Sequence, residues 1–224
     1  MKRVMGIVFC LVGLLAACVV APSAKDTEKE PKQPLTFPEI LQRREQYPID
    51  GSIASYLHND FVTRVQDEGD CILIEAIERL PDHVIELPKL EDSLADEVLT
   101  QDTLAHAYSV KILKVINLNE QEFKEGDIIE IRLPVMGHMV KMEIGMRYLG
   151  LFRPDVTGYN IHPLFTYFVT PDDYVLANFG ERKNEYYTGQ TLDTLLSVIQ
   201  DAVKGEWKEQ MRPEIIFPDE TKDS

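Results

Sequence analysis

The chain has 224 residues, 38 acidic side chains against 23 Lys and Arg, and a formal charge of -15 at pH 7. A chain this acidic repels phosphate backbones and has no basic cluster, which excludes nucleic-acid binding and an electrostatic hold on anionic lipid. The length allows one sizeable domain or two very small ones.

The first 18 residues are MKRVMGIVFCLVGLLAAC. Lys2 and Arg3 form a basic start, and Met5 to Ala17 is apolar and uncharged. That run is well short of the roughly 20 apolar residues a membrane-spanning helix needs. A positive start, a short apolar core and small residues before a cut describe a secretory signal peptide, residues 1–17. Leu15-Ala16-Ala17-Cys18 resembles the bacterial lipoprotein lipobox. The resemblance implies cleavage between Ala17 and Cys18 and acylation of the Cys18 sulfur by diacylglycerol and palmitate-type chains. The alternative is an ordinary signal peptide with an incidental cysteine. Loss of the leader with its two cations takes the formal charge from -15 to -17.

After Cys18 comes VVAPSAKDTEKEPKQPL, rich in Pro, Lys and Glu and without a core pattern. Such a segment buries too little apolar surface to order itself, so 18–35 is expected to be a disordered tether. Fully extended, it reaches about 50 Å. The expected location is the bacterial cell membrane or outer membrane, extracytoplasmic and lipid-anchored. Cys10 leaves with the leader and Cys18 is acylated, so Cys71 stands alone and no intrachain disulfide is expected. Its aliphatic neighbours point to a buried, inert thiol.

TFPEILQRREQYP predicts a short helix, with Thr36 as cap, Pro38 in the first turn and Pro48 at the end. In DGSIASYLHNDFVTRVQDEGD, residues Ile53, Tyr56, Leu57 and Val62 suit one helix side, ending near Gly69. Residues 36–69 thus form a helical N-terminal extension. CILIEAIERL predicts a strand, with Ile72, Ile74 and Ala76 on one face. ELPKLEDSLADEVLTQD is acidic and irregular, a loop. AHAYSVKILKVIN alternates, with Tyr108, Val110 and Ile112 inward. KEGD turns at Gly126, and IIEIRLP follows with Ile129, Ile131 and Leu133 inward. HMVKMEIG is a weaker strand and MRYLGLFR a stronger one. FTYFVTPDDYVLANF predicts a hairpin around Thr170 to Asp173. TLDTLLSVIQDAVKGEWKEQM repeats apolar residues from Leu192 to Val203 at helical spacing, with Thr191 as N-cap. Residues 213–224 form a tail.

Five or six short strands and one amphipathic helix place the chain in the α+β class, mainly β. The expected architecture for 70–212 is a small antiparallel barrel covered by the C-terminal helix. The run YSVKILKVIN, FKEGDIIEIRL, EIGMRYLGLF and FTYFVTPDDYVLANF resembles the β-domain of lipoproteins and surface proteins of low-GC Gram-positive bacteria. That domain is similar to the OB-like barrel of netrin and tissue-inhibitor modules. The resemblance covers Asp70 to Phe179 and implies an OB-like barrel. Protease inhibition does not carry over, because that family chelates its target through a free N-terminal cysteine held by disulfides.

No catalytic pattern is visible. His58, His83, His106, His138 and His162 lack metal-ligand spacing, although His106, His138 and His162 would be able to converge in a barrel. Asp67 to Asp70 resembles a calcium-loop fragment without its closing Glu and is read as a turn. There is no G-x-S-x-G, P-loop or S-x-x-K. Tyr148, Tyr159, Tyr167, Tyr174, Tyr186, Tyr187 and Trp207 are either a glycan platform or core packing, and core packing suits strand faces better. The expectation is a non-catalytic envelope module with no metal and no cofactor, binding a protein or glycan. The alternatives are an accessory subunit in envelope assembly and an extracytoplasmic hydrolase.

Overall fold

The structure is a computed structural model. It describes residues 32–48, 61–68, 70–85, 103–117, 123–135, 140–155, 158–178 and 186–213. The expected leader, tether start, acidic loop, the helical residues Ile53, Tyr56 and Leu57, the tail beyond Pro213, Cys18, His58 and His138 lie outside them. The described elements are α1 (Phe37–Arg44), α2 (Phe61–Glu68), β1 (Cys71–Arg79), β2 (His83–Ile85), β3 (Thr103–Asn117), β4 (Ile128–Pro134), β5 (Arg147–Asp155), β6 (Gly158–Val169), β7 (Val175–Ala177) and α3 (Leu192–Val203). Among the described residues, no helix is long and apolar enough to cross a membrane.

Local chemistry accounts for the element ends. At α1, Glu39 accepts hydrogen bonds from the Thr36 backbone N–H and hydroxyl, both at 2.7 Å, a reciprocal cap at the helix start. At α3, the Thr191 hydroxyl accepts from the Thr194 N–H at 3.2 Å. Gly205, at φ 73°, ends that helix by entering a conformation that other residues avoid. HMVKMEIG departs from its expectation. Its described part, Val140 to Gly145, is not a strand, although Val140 and Met142 are buried. The Glu143 N–H donates to the Tyr148 hydroxyl at 2.8 Å. That side chain takes the place of a ladder partner.

All ladders are antiparallel. β3 carries β1 and then β2 along one edge, and β4 along the other. β1 also pairs with β5, β5 with β6, and β6 with β7. The class is therefore α+β, mainly β. The five long strands β1, β3, β4, β5 and β6 have the connectivity of an OB-like barrel. The sheet is open: β4 lies against β6 without a ladder among the described residues. Register shifts in β1 after Cys71, Leu73 and Ala76 supply the bending, because each bulge sharpens the local twist.

Two cores lie on the two faces of this one sheet. The inner face holds Ile72, Ile74, Val110, Ile112, Tyr148 and Phe168, with Ile40 of α1 plugged among them. The outer face holds Cys71, Leu73, Leu149 and Tyr167, covered by Phe61 of α2 and Leu195 of α3. This explains the unbroken apolar run Cys71 to Ile74: alternate residues enter different cores, so none faces water. The two helices expected as one extension thus sit on opposite faces of the sheet.

The packed chain begins before residue 36, inside the segment expected to be tether. Leu35 is buried, and its N–H donates to the Gly189 carbonyl at 2.8 Å. The Tyr174 hydroxyl donates to the Gln33 carbonyl at 3.1 Å, and Lys32 donates to the Asp172 carbonyl at 2.8 Å. Lys32 thus meets the β6–β7 hairpin tip, which also holds Arg43 and Arg147. Arg43 grips Asp172 with both guanidinium nitrogens, at 2.6 and 2.7 Å. Arg147 donates to Asp173 at 2.9 Å and also to the Thr170 carbonyl. The tip is a clasp tying the chain before α1, α1 itself and β5 together.

Gly189 is fixed by geometry twice over. Its φ is 84°, and a Cβ built there would lie 2.5 Å from Ile40 Cδ1 and 2.9 Å from Cγ1. Gly189→Ala is expected to destabilise the domain by about 3 kcal/mol, from left-handed strain plus displacement of the plug. Denaturant unfolding measures it, and Ile40→Ala in the same chain should recover part of the loss.

Hydrogen bonds from Arg43, acting against burial, hold the Asp172 carboxyl well below its ordinary range. The clasp's contribution is therefore complete above about pH 4, the unfolded carboxylate value, and fades as pH falls below it. Half of the Asp172 side chain is exposed, so the pair is worth about 1 kcal/mol or less. Asp172→Asn should lower stability by that amount at pH 7 and show a smaller further loss between pH 4 and pH 2 than the parent.

Candidate functional site

A second charged cluster occupies the corner where β1 runs into β2. It is built by the ladders. Arg79 pairs with Tyr108, and two residues back along β3 lies His106, opposite Leu133 of β4. These side chains share the inner face, beyond the packed core. The Arg79 guanidinium stacks 4.8 Å over the Tyr108 ring. It donates to the Ala107 carbonyl at 2.9 Å and to the Leu80 carbonyl at 3.2 Å. Arg79 Nη2 also reaches the Asp82 carboxylate, and lies 2.6 Å from His106 Nδ1. Asp82 Oδ1 is 3.1 Å from the same imidazole nitrogen. Burial opposes the change, but hydrogen bonds from His106 and Arg79 bring the Asp82 carboxyl below its ordinary value. On the other face, Glu130 accepts from Arg132 Nε at 2.6 Å and lies 3.3 Å from His83 Nε2.

Beside this cluster runs an apolar row. Val84 pairs with Leu104, and the Val135 N–H donates to the Leu104 carbonyl at 2.7 Å. Register puts all three on the face of His106. They are 66 %, 41 % and 42 % exposed, respectively. Three aliphatic side chains in one cross-strand line, ending at self-neutralised charges, make a surface suited to docking. The cluster contains no serine, threonine or cysteine nucleophile, and the His106 nitrogen that faces it is already engaged. Among the described residues, no group of three or more His, Cys, Asp or Glu is placed to hold a metal ion.

The other sequence candidates are scattered. His162 lies in a four-residue excursion of β6, between the Gly150–Thr166 and Phe152–Ile161 pairs, and its ring is 4.8 Å from Phe165 of the outer core. It does not meet His106. Cys71 is fully buried, and burial pushes its thiol far up. Tyr148 belongs to the inner core, whereas Tyr167, Tyr187 and Trp207 belong to the outer one. Tyr174 lies under Arg43, and Tyr186 under Arg212. Tyr159 stacks on Phe152. The aromatics therefore form no common platform. Arg79, Asp82, Val84, Leu104 and Val135 were not singled out by the sequence. They come from three separate stretches, residues 79–84, 104 and 135, which the ladders join.

Compared with known proteins, the chain matches no family model and no curated relative.

His162 supplies a test of the outer core. Burial, aided by Arg153 and Arg64, lowers its pKa to about 4. Between the ordinary value near 6.5 and 4, the unfolded chain takes up a proton that the folded one refuses. Stability is therefore greatest above about pH 6.5 and declines as pH falls towards 4, by on the order of 3 kcal/mol. His162→Gln should flatten the denaturation midpoint across that window relative to the parent.

Proposed function

We propose that this chain is a lipid-anchored, non-catalytic module of the bacterial cell envelope that binds a protein or glycan at the β2–β3–β4 end of its sheet. The observation that carries the binding half is the row Val84, Leu104 and Val135, in register and exposed. The anchor half rests on the leader and on Leu15-Ala16-Ala17-Cys18. Two acyl chains hold a protein at a bilayer where one binds only reversibly, since each buried methylene contributes about 0.8 kcal/mol. The net charge of -15 opposes any further hold on anionic lipid. Hydrolysis is disfavoured because the corner cluster offers no nucleophile and its charges satisfy one another. An accessory role in envelope assembly uses the same surface and differs only in having a stoichiometric partner.

Metabolic labelling with a fatty-acid analogue tests the anchor. The parent is expected to carry label and Cys18→Ala none; label persisting in Cys18→Ala sinks the anchor. Photocrosslinking from position 84 in whole cells tests the surface. A discrete adduct that Leu104→Lys abolishes is expected, and absence of any adduct at 84 overturns the assignment.

A further inference from the structure

We infer that residues 32–47, which are α1 and the chain on either side of it, form a strap that lets go of the sheet as a unit while the sheet stays folded. The strap belongs to no ladder. Its backbone meets the rest of the domain at the Leu35 N–H, which donates to the Gly189 carbonyl at 2.8 Å. Of its side chains, Leu35 and Ile40 alone are buried. Other contacts lie at the surface. The Tyr174 hydroxyl donates to the Gln33 carbonyl at 3.1 Å, Lys32 is 3.6 Å from the Asp173 carboxylate, and Arg43 holds Asp172. Lys32 and Arg43 also lie over the Tyr174 ring, at 5.9 and 5.0 Å.

A segment held by few buried side chains and by exposed hydrogen bonds opens at far less cost than a core. The sheet and α3 are the contrast. β1 and β5 are each bonded along both edges, and α3 buries Leu192, Leu195, Leu196, Ile199 and Ala202. Once off the sheet, α1 is eight residues long, too short to persist as an isolated helix. Release therefore unfolds the strap. It also bares an apolar seat: the hollow at Gly189, which Ile40 Cδ1 fills, and the Phe168 ring, whose centroid is 5.3 Å from that of Tyr47. Among the described residues the strap comes first along the chain, so a pull from the N-terminal side loads Lys32, Gln33 and Leu35 before any strand. On the lipid-anchored reading, tension in the tether acts on the strap first. The inference itself does not require the anchor.

Native-state amide hydrogen exchange on the full chain tests it. The strap is reported by the Leu35 and Ile40 amides, bonded to the Gly189 and Thr36 carbonyls at 2.8 and 3.0 Å. The sheet is reported by the Ile112 and Phe152 amides, bonded to the Asp127 and Asp70 carbonyls at 2.9 and 3.0 Å. The strap amides are expected to be about a hundredfold less protected than the sheet amides. Low urea should reduce sheet protection steeply and strap protection little, because strap release exposes little surface. Ile199 is fully buried in the outer core, on the other face of the sheet from α1. Ile199→Val should lower sheet protection about fivefold and leave strap protection unchanged, because it raises the closed and released states equally. One shared protection level for strap and sheet overturns the inference. So does an equal urea dependence, or an equal fall at both in Ile199→Val.

Discussion

The constraint on which the rest of the structure depends is that β1, β5 and β6 are buried on both faces. Cys71 to Ile74, Tyr148 to Phe152 and Phe165 to Val169 carry no exposed residue. A sheet with no watered face at its centre has to be covered twice. Coiling covers the inner face, because the bulged β1 and the long β3 bring β4 round against β6. Helices α2 and α3 cover the outer face. A fully buried aliphatic or aromatic side chain contributes about 1.5–3 kcal/mol, and each core has many. The fold is therefore held by these two layers, and its ion pairs are secondary.

Two of the polar contacts sit where ladders stop. At one such place the Tyr148 hydroxyl takes the Glu143 N–H in a segment that has left the sheet. At another, the Asp172 clasp ties Lys32, Arg43 and Arg147 to a hairpin tip whose Asp173 sits at φ 63°. Exposed pairs of this kind contribute little free energy. What they supply is position: they hold α1 so that Ile40 enters the inner core against Gly189, where no side chain fits.

The same logic separates the clasp from the corner of Arg79, Asp82 and His106. The clasp's cations each have a carboxylate or carbonyl and lie over packed chain. The corner has one more claimant than it has roles, because His106 presents a single nitrogen to both a donor and an acceptor. It also lies beside three exposed aliphatic residues, not above a core.

Much of the fold was legible in the sequence because periodicity is a local property. The alternation of Tyr108, Val110 and Ile112, the Thr36 and Thr191 caps, the turns at Gly126 and Asp173, and the spacing Leu192, Leu195, Leu196 and Ile199 each depend on neighbours a few residues away. HMVKMEIG misled because Val140 and Met142 alternate and are buried like strand residues, although Val140 to Gly145 forms no strand. The sequence by itself determined the mainly β class and the positions of most strands and the final helix, and it shows an apolar run that stops at Cys18. Only the tertiary structure decided that Cys71 and Ile72 serve different cores, that Leu35 is packed, that the sheet stays open between β4 and β6, and that Val84, Leu104 and Val135 form one row beside His106. The physical reason is that a ladder joins residues by register across the sheet, and register between distant strands is settled by which faces can be buried together, a quantity no single stretch of chain contains.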